Sequence, residues 1–172
     1  MKKIEISIAV QEFDSENELA AEDKSLLVKA RKSAEGAYAP YSEFFVGAAV
    51  QLQTGKTVSG NNQENIAFPS GLCAERVAVF SAAAQFPNVG ILSVAISCKS
   101  KNFSVTEPLT PCGACRQVLM EYENRQGKNI RVIVSGEKGK VWIFESVKDL
   151  LPFAFNVKGF KKNSGPAAGF TL

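Results

Sequence analysis

The sequence predicts an α/β protein, a three-layer α/β/α sandwich built on a mixed five-stranded sheet. Three observations predict it. Residues 46–52 and 57–60 flank Gln53-Thr54-Gly55-Lys56, the signal of an antiparallel hairpin. Two short apolar strands, 91–97 and 130–134, are joined through a helical pattern, a connection that favours a parallel pair with a right-handed crossover. Helices are spaced so that both faces of the sheet can be covered.

Taken in order, residues 4–10 alternate Ile4, Ile6, Ile8 and Val10 with Glu5, Ser7 and Ala9, which reads as a strand with one apolar face. It falls in an N-terminal extension, residues 1–17, and would add one strand to the five. From Leu19, the positions Leu19, Leu26, Leu27, Ala30, Ala34 and Ala37 recur at helical spacing, an amphipathic helix that Pro40 ends. After the hairpin, the polar residues 61–72 form a loop closed by Pro69-Ser70-Gly71. Residues 74–86 are rich in Ala, Val and Phe and predict a largely buried helix stopping before Pro87. The strand at 91–97 leads into a polar loop, 99–111, and then a helix from Gly113 to Arg125 with Gly127 after it. The strand 130–134, a turn at 136–139, a strand 141–144 and a helical turn over 147–151 complete the domain. We take 18–157 as the domain and the Lys-, Gly- and Ala-rich residues 158–172 as a tail.

Composition narrows the chemistry. Hydrophobic residues make up 45% of the 172 and charged residues 22%, a globular balance. A net charge of +3 is too small to imply a polyanion partner, so no nucleic-acid binding is expected. No apolar run approaches the ~18 residues of a membrane helix, so no membrane partner is expected. Glu5 and Ser7 interrupt the core that a signal peptide would need, which points to the cytoplasm. There is no histidine, which removes His-based triads and His-ligated metals. The cysteines are Cys73, Cys98, Cys112 and Cys115, and cytosolic cysteines are more often metal ligands or nucleophiles than disulfides.

Two segments concentrate the chemistry: Cys73-Ala74-Glu75-Arg76 and Pro111-Cys112-Gly113-Ala114-Cys115-Arg116-Gln117. Each places a cysteine at the start of a predicted helix, where about half a positive charge favours the thiolate. Two such ends aimed at one point would gather Cys73, Cys112 and Cys115 around one zinc ion, which accepts sulfur in tetrahedral geometry. Three protein ligands leave a fourth position for water, as in catalytic sites. Glu75 stands beside the ligands without being one and can carry a proton from that water. Three thiolates leave an excess of negative charge, so Arg76 and Arg116 are expected to donate hydrogen bonds to sulfur. A lone Cys-x-x-Cys is as readily a structural half-site or a redox pair. The upstream Cys-Ala-Glu and the proline before the pair bring in the deaminase pattern. Cys98, without a partner motif, reads as a small core residue.

At these residues the chain resembles the cytidine deaminases of pyrimidine salvage, in their small, three-cysteine, homotetrameric form. The likeness runs from about residue 30 to about residue 155. It includes Ala39-Pro40-Tyr41-Ser42-Glu43-Phe44, Val46-Gly47-Ala48-Ala49, Asn62-Gln63-Glu64-Asn65 and Leu150-Leu151-Pro152-Phe153-Ala154-Phe155. The resemblance implies one zinc per subunit on Cys73, Cys112 and Cys115, with Glu75 as proton shuttle. It implies that Asn62 and Glu64 grip the sugar hydroxyls, that Phe44 packs on the nucleoside and that the backbone of Ala74 meets the pyrimidine edge. It also implies that Phe155 reaches the base of a neighbouring subunit, so that the active sites of a homotetramer are shared. Phe45 stands where a proline is common, and Phe68 where a tyrosine is common.

The activity expected is hydrolytic deamination of cytidine and 2′-deoxycytidine. Three rivals differ in what they need. A deaminase of another small aminopyrimidine nucleoside, such as a blasticidin-like antibiotic, keeps the metal chemistry but is less favoured by Asn62-x-Glu64-Asn65. A polynucleotide-editing deaminase needs a basic groove and stacking aromatics. A non-catalytic zinc protein has no use for Glu75 or an open coordination position.

Overall fold

The central strands are apolar on both faces, and each face has its own core. Along the strand Phe44–Leu52, Ala48, Val50 and Leu52 enter one core while Ala49 enters the other. Along Ile91–Ser100, Val94 and Ile96 face the first core and Ala95 the second. This period of two, buried on both sides, places these strands in the middle of a covered sheet.

The computed structural model describes residues 1–157. Its elements run β1 Gln11–Phe13, α1 Ala21–Ser33, β2 Phe44–Leu52, β3 Thr57–Asn61, α2 Ala74–Gln85, β4 Ile91–Ser100, α3 Gly113–Gln126, β5 Arg131–Ser135 and β6 Val141–Phe144. The sheet order is β1-β6-β5-β4-β2-β3. Only β4 and β5 pair in parallel; the other neighbours are antiparallel. The predicted α/β sandwich on a mixed sheet is the observed fold. Helix α1 covers one face through Leu26, Leu27 and Ala30. Helices α2 and α3 cover the other through Ala74, Ala78, Val79, Ala82, Leu119 and Met120. Arg131 on β5 makes a two-pronged salt bridge to the buried Asp23 of α1 (2.9 and 3.0 Å), which ties that helix to the sheet.

The structure corrects three expectations. The sheet has six strands among the described residues rather than five, because the N-terminal segment contributes β1. That extra strand is Gln11–Phe13 and not residues 4–10. The register pairs Gln11 with Ile143 and Phe13 with Val141, so Val10 falls opposite Phe144, the last residue of β6, and residues before it run past that strand's end. Beyond Phe144 the chain turns into a 3-10 turn capped by Ser146, and no ladder is left for Ile4, Ile6, Ile8 and Val10, which stay exposed. Third, the first helix is shorter than the apolar spacing suggests: α1 stops at Ser33, and Ala34–Gly36 continue as a 3-10 turn before the chain extends at Ala37. The tail, 158–172, lies outside the described residues.

Two glycines set how closely the helices approach the sheet. A Cβ on Gly47 would lie 2.0 Å from the carbonyl oxygen of Ala30 in α1. One on Gly60 of β3 would lie 2.4 Å from the backbone nitrogen of Ala78 in α2. These are backbone contacts, so only a shift of the helix relieves them. We therefore expect Gly60→Ala to destabilise the fold by roughly 1–3 kcal/mol, the range of core overpacking. Urea denaturation reads this; a wild-type midpoint would show that α2 is not packed as described.

Candidate metal centre and catalytic cleft

Topology brings the reactive residues together. β3 and β4 each run antiparallel to β2, so they point the same way. α2 follows β3 and α3 follows β4, and each returns across the same face of the sheet. Their N-termini therefore lie at the same end, beyond the carboxyl ends of the strands, where ligands bind in open α/β sheets. Cys73 is the N-cap of α2 and Cys112 the N-cap of α3, both with extended backbone and neither spending its side chain on a cap hydrogen bond. Cys115 comes one turn into α3.

The three sulfurs of Cys73, Cys112 and Cys115 lie within 4.8 Å of one another. Those of Cys73 and Cys112 are 3.8 Å apart. Two sulfurs each about 2.3 Å from a tetrahedral zinc stand about 3.8 Å apart, so the donor set fits that ion in both identity and spacing. The electrostatics fit as well. Cys73 is held down to about 5 by the hydrogen bond from the Cys115 thiol, with a further donor in Arg76. Cys115, which gives that bond and is buried, is pushed up in turn. Cys98 is not in this cluster: it is buried within β4, and burial raises its thiol to about 11.

Glu75 is buried at the second position of α2, and its carboxyl lies against the Cys115 thiol and its own backbone N–H. Burial raises its pKa above the usual carboxylate value, and the neighbouring Cys73 adds to this. Arg76 donates from Nη2 to the Cys73 sulfur at 3.6 Å. Arg116 departs from expectation. Its nitrogens go to the Pro111 carbonyl (2.7 Å), the Leu150 carbonyl (3.0 Å) and the Thr110 hydroxyl (3.0 Å), not to sulfur. Arg116 thus ties the loop entering α3 to the 3-10 turn that ends at Leu150.

A cleft of about 800 Å³ opens over these residues. Cys73, Glu75, Arg76 and Cys112 line it together with Phe44, Asn62 and Glu64. Asn62 stitches the loop to β2: its Oδ1 accepts from Val46 N (2.8 Å) and its Nδ2 donates to the Phe44 carbonyl (2.9 Å). An amide has two donors and two acceptor lone pairs, so half its capacity is left for a ligand. Glu64 accepts from the backbone of Tyr41 (2.8 Å) and of Ser42 (3.3 Å) and from the Ser42 hydroxyl. The Ser42 hydroxyl is the main cause that holds its carboxyl below the usual range. Ser42, Leu109 and Thr110 also belong to the site, as partner or wall. A serine, a leucine and a threonine in loops carry no signal of their own, so nothing in the sequence singles them out. Ala74 is fully buried between Cys73 and Glu75. Phe155 is exposed and outside this cleft; its backbone is held by a two-sided hydrogen bond with the Gln117 amide (3.0 and 3.1 Å).

The comparisons with known proteins agree with this geometry. A sequence model described as the cytidine and deoxycytidylate deaminase zinc-binding region matches residues 20–128. The chain is 35% identical over 137 residues to the cytidine deaminase of Halalkalibacterium halodurans, covering 79% of this chain and 96% of that protein. It is 36% identical over 136 residues to the cytidine deaminase of Sporosarcina psychrophila, covering 77% and 90%. Among solved structures, the cytidine deaminase of Burkholderia pseudomallei superposes with a TM-score of 0.68 at 37% identity, covering 80% of this chain and all of that one. That of Mycobacterium tuberculosis gives 0.60 at 32%, covering 77% and 96%. With a trio of thiols fitted to one zinc ion and likeness along most of its length, the chain belongs to the cytidine deaminases, hydrolases that cleave a C–N bond.

Proposed function

We propose that the protein deaminates cytidine and 2′-deoxycytidine to uridine and 2′-deoxyuridine, consuming one water and releasing one ammonia. The observation that carries this is the buried carboxyl of Glu75 set beside three converging thiols at the base of a cleft that also holds Asn62 and Glu64. Cys73, Cys112 and Cys115 would hold the zinc, which when bound acidifies water enough to supply hydroxide near neutral pH. Glu75 accepts a proton at its carboxylate and delivers it to N3 of the ring, then carries a proton to the departing amine. Arg76 offsets the negative charge of the thiolates through Cys73. Asn62 and Glu64 offer a free donor and a charged acceptor suited to a sugar hydroxyl, and Phe44 offers an apolar wall. The backbone of Ala74 meets the polar edge of the base.

The unit that does this is residues 18–157, with 1–17 as an extension. We assign it to pyrimidine salvage in the cytoplasm; no described helix is long and apolar enough to cross a membrane. We further propose a homotetramer with shared sites. The support is that Phe153 and Phe155 project from their own chain at 84% and 76% exposure although Gln117 fixes the backbone of Phe155. Large exposed aromatics on an ordered segment suit a contact with another copy.

Ultraviolet absorbance follows cytidine loss, with zinc measured on the same sample. Turnover of cytidine or deoxycytidine by zinc-loaded protein is expected; no loss of either, with a blasticidin-like nucleoside consumed instead, would move the substrate to the rival class. Glu75→Gln should keep its zinc and lose turnover by roughly 10²–10⁴-fold, since the amide cannot carry the proton. A variant that keeps most of its rate would remove Glu75 from the mechanism. Arg76→Ala should lower zinc retention on dialysis by about 10–100-fold in affinity; unchanged zinc content and rate would show that Arg76 does not support the thiolates. Light scattering should return four times the chain mass, and a monomer would rule out a shared site.

A further inference from the structure

Phe44 lines the cleft, and Asn62 holds only its backbone, not its ring. The loop between β4 and α3 supplies a contact to the ring. Phe103 of that loop stacks on Phe44 with ring centroids 6.0 Å apart and planes inclined by 21°. Phe103 itself is not among the residues that line the cleft. We infer that Phe103 is a positioning residue for substrate binding: it braces the ring of Phe44 so that Phe44 presents a fixed apolar wall to the nucleoside. This rests on the nucleoside-deaminase reading above.

The loop that carries Phe103 is anchored. Near its start, the N–H of Lys101 donates to the Glu43 carbonyl at 3.2 Å, immediately before Phe44. In its middle, the Val105 carbonyl accepts from Glu137 N at 2.8 Å. The turn beneath is shaped for it: a Cβ on Gly136 would lie 2.4 Å from the Val105 oxygen, and one on Gly139 would lie 2.8 Å from the Thr106 oxygen. At its end, Arg116 holds Thr110 and Pro111. The same loop contributes Leu109 and Thr110 to the cleft wall. A braced ring on an anchored loop costs the complex less entropy on binding than a free one.

Phe44 is remote from the proton-carrying carboxyl of Glu75 in role, so losing the brace weakens ground state and transition state alike. That raises KM and leaves kcat in place. An aromatic pair of this kind is worth enough for a change of roughly two- to tenfold. The test is steady-state kinetics with cytidine on the zinc-loaded wild type, Phe103→Ala and Phe103→Tyr, with zinc content measured for each. Expected are a two- to tenfold higher KM for Phe103→Ala, unchanged kcat and zinc, and recovery of the KM in Phe103→Tyr, which restores an aromatic ring. A KM equal to wild type in Phe103→Ala, or a fall in kcat or zinc in place of the KM effect, or failure of the tyrosine to rescue, overturns the inference while wild-type turnover leaves the function standing. A wild type that does not consume cytidine overturns both.

Discussion

Two helix N-termini, those of α2 and α3, converge on one point and bring the reactive thiols together. Thiols repel one another once ionised, so three of them stay together only if something offsets their charge. Here the backbone does part of it. Cys73 and Cys112 occupy N-cap positions, where the unpaired N–H groups and the helix dipole favour an anion. The parallel direction of β3 and β4 puts both ends on one side of the sheet, and Gly60 lets α2 come close enough for them to meet. A cation completes the balance, and zinc matches the sulfur donors and their spacing.

Around this centre, polar side chains act twice, once on the protein and once toward the cleft. Asn62 closes hydrogen bonds on both sides of Phe45, at the Phe44 carbonyl and the Val46 N–H, and still has donor and acceptor capacity in hand. Glu64 holds the turn at Tyr41 and Ser42 while facing the cleft. Side chains already fixed by backbone partners lose little freedom when a ligand arrives, the condition for a preorganised site. Arg116 belongs to the same scheme by a route other than sulfur. It joins the loop before Cys112 to the segment at Leu150, so one guanidinium ties the entry to α3 to the chain leading to Phe155.

Much of this was legible in the sequence. The hairpin turn, the helices after Cys73 and Cys112 and the parallel pair at β4 and β5 are local patterns, and the structure follows them. What was not legible depends on partners far away in the chain. Residues 4–10 carry a faultless strand alternation, yet a strand needs a neighbour, and β6 ends too early to be one. The hydrogen bonds of Arg116 depend on where Leu150 falls, 34 residues later. Ser42, Leu109 and Thr110 owe their places in the site to folding alone, since nothing in their type announces it.

Three sulfurs, and no fourth, are expected to hold one zinc ion. X-ray absorption at the zinc edge of the purified protein tests it most directly, because it counts and ranges the ligands in one measurement. The spectrum should show about three sulfurs near 2.3 Å with one lighter oxygen or nitrogen neighbour near 2.0 Å. A shell of four sulfurs, which would require Cys98 to leave its buried place in β4 or another chain to enter the site, would contradict it, and so would a protein that binds no zinc.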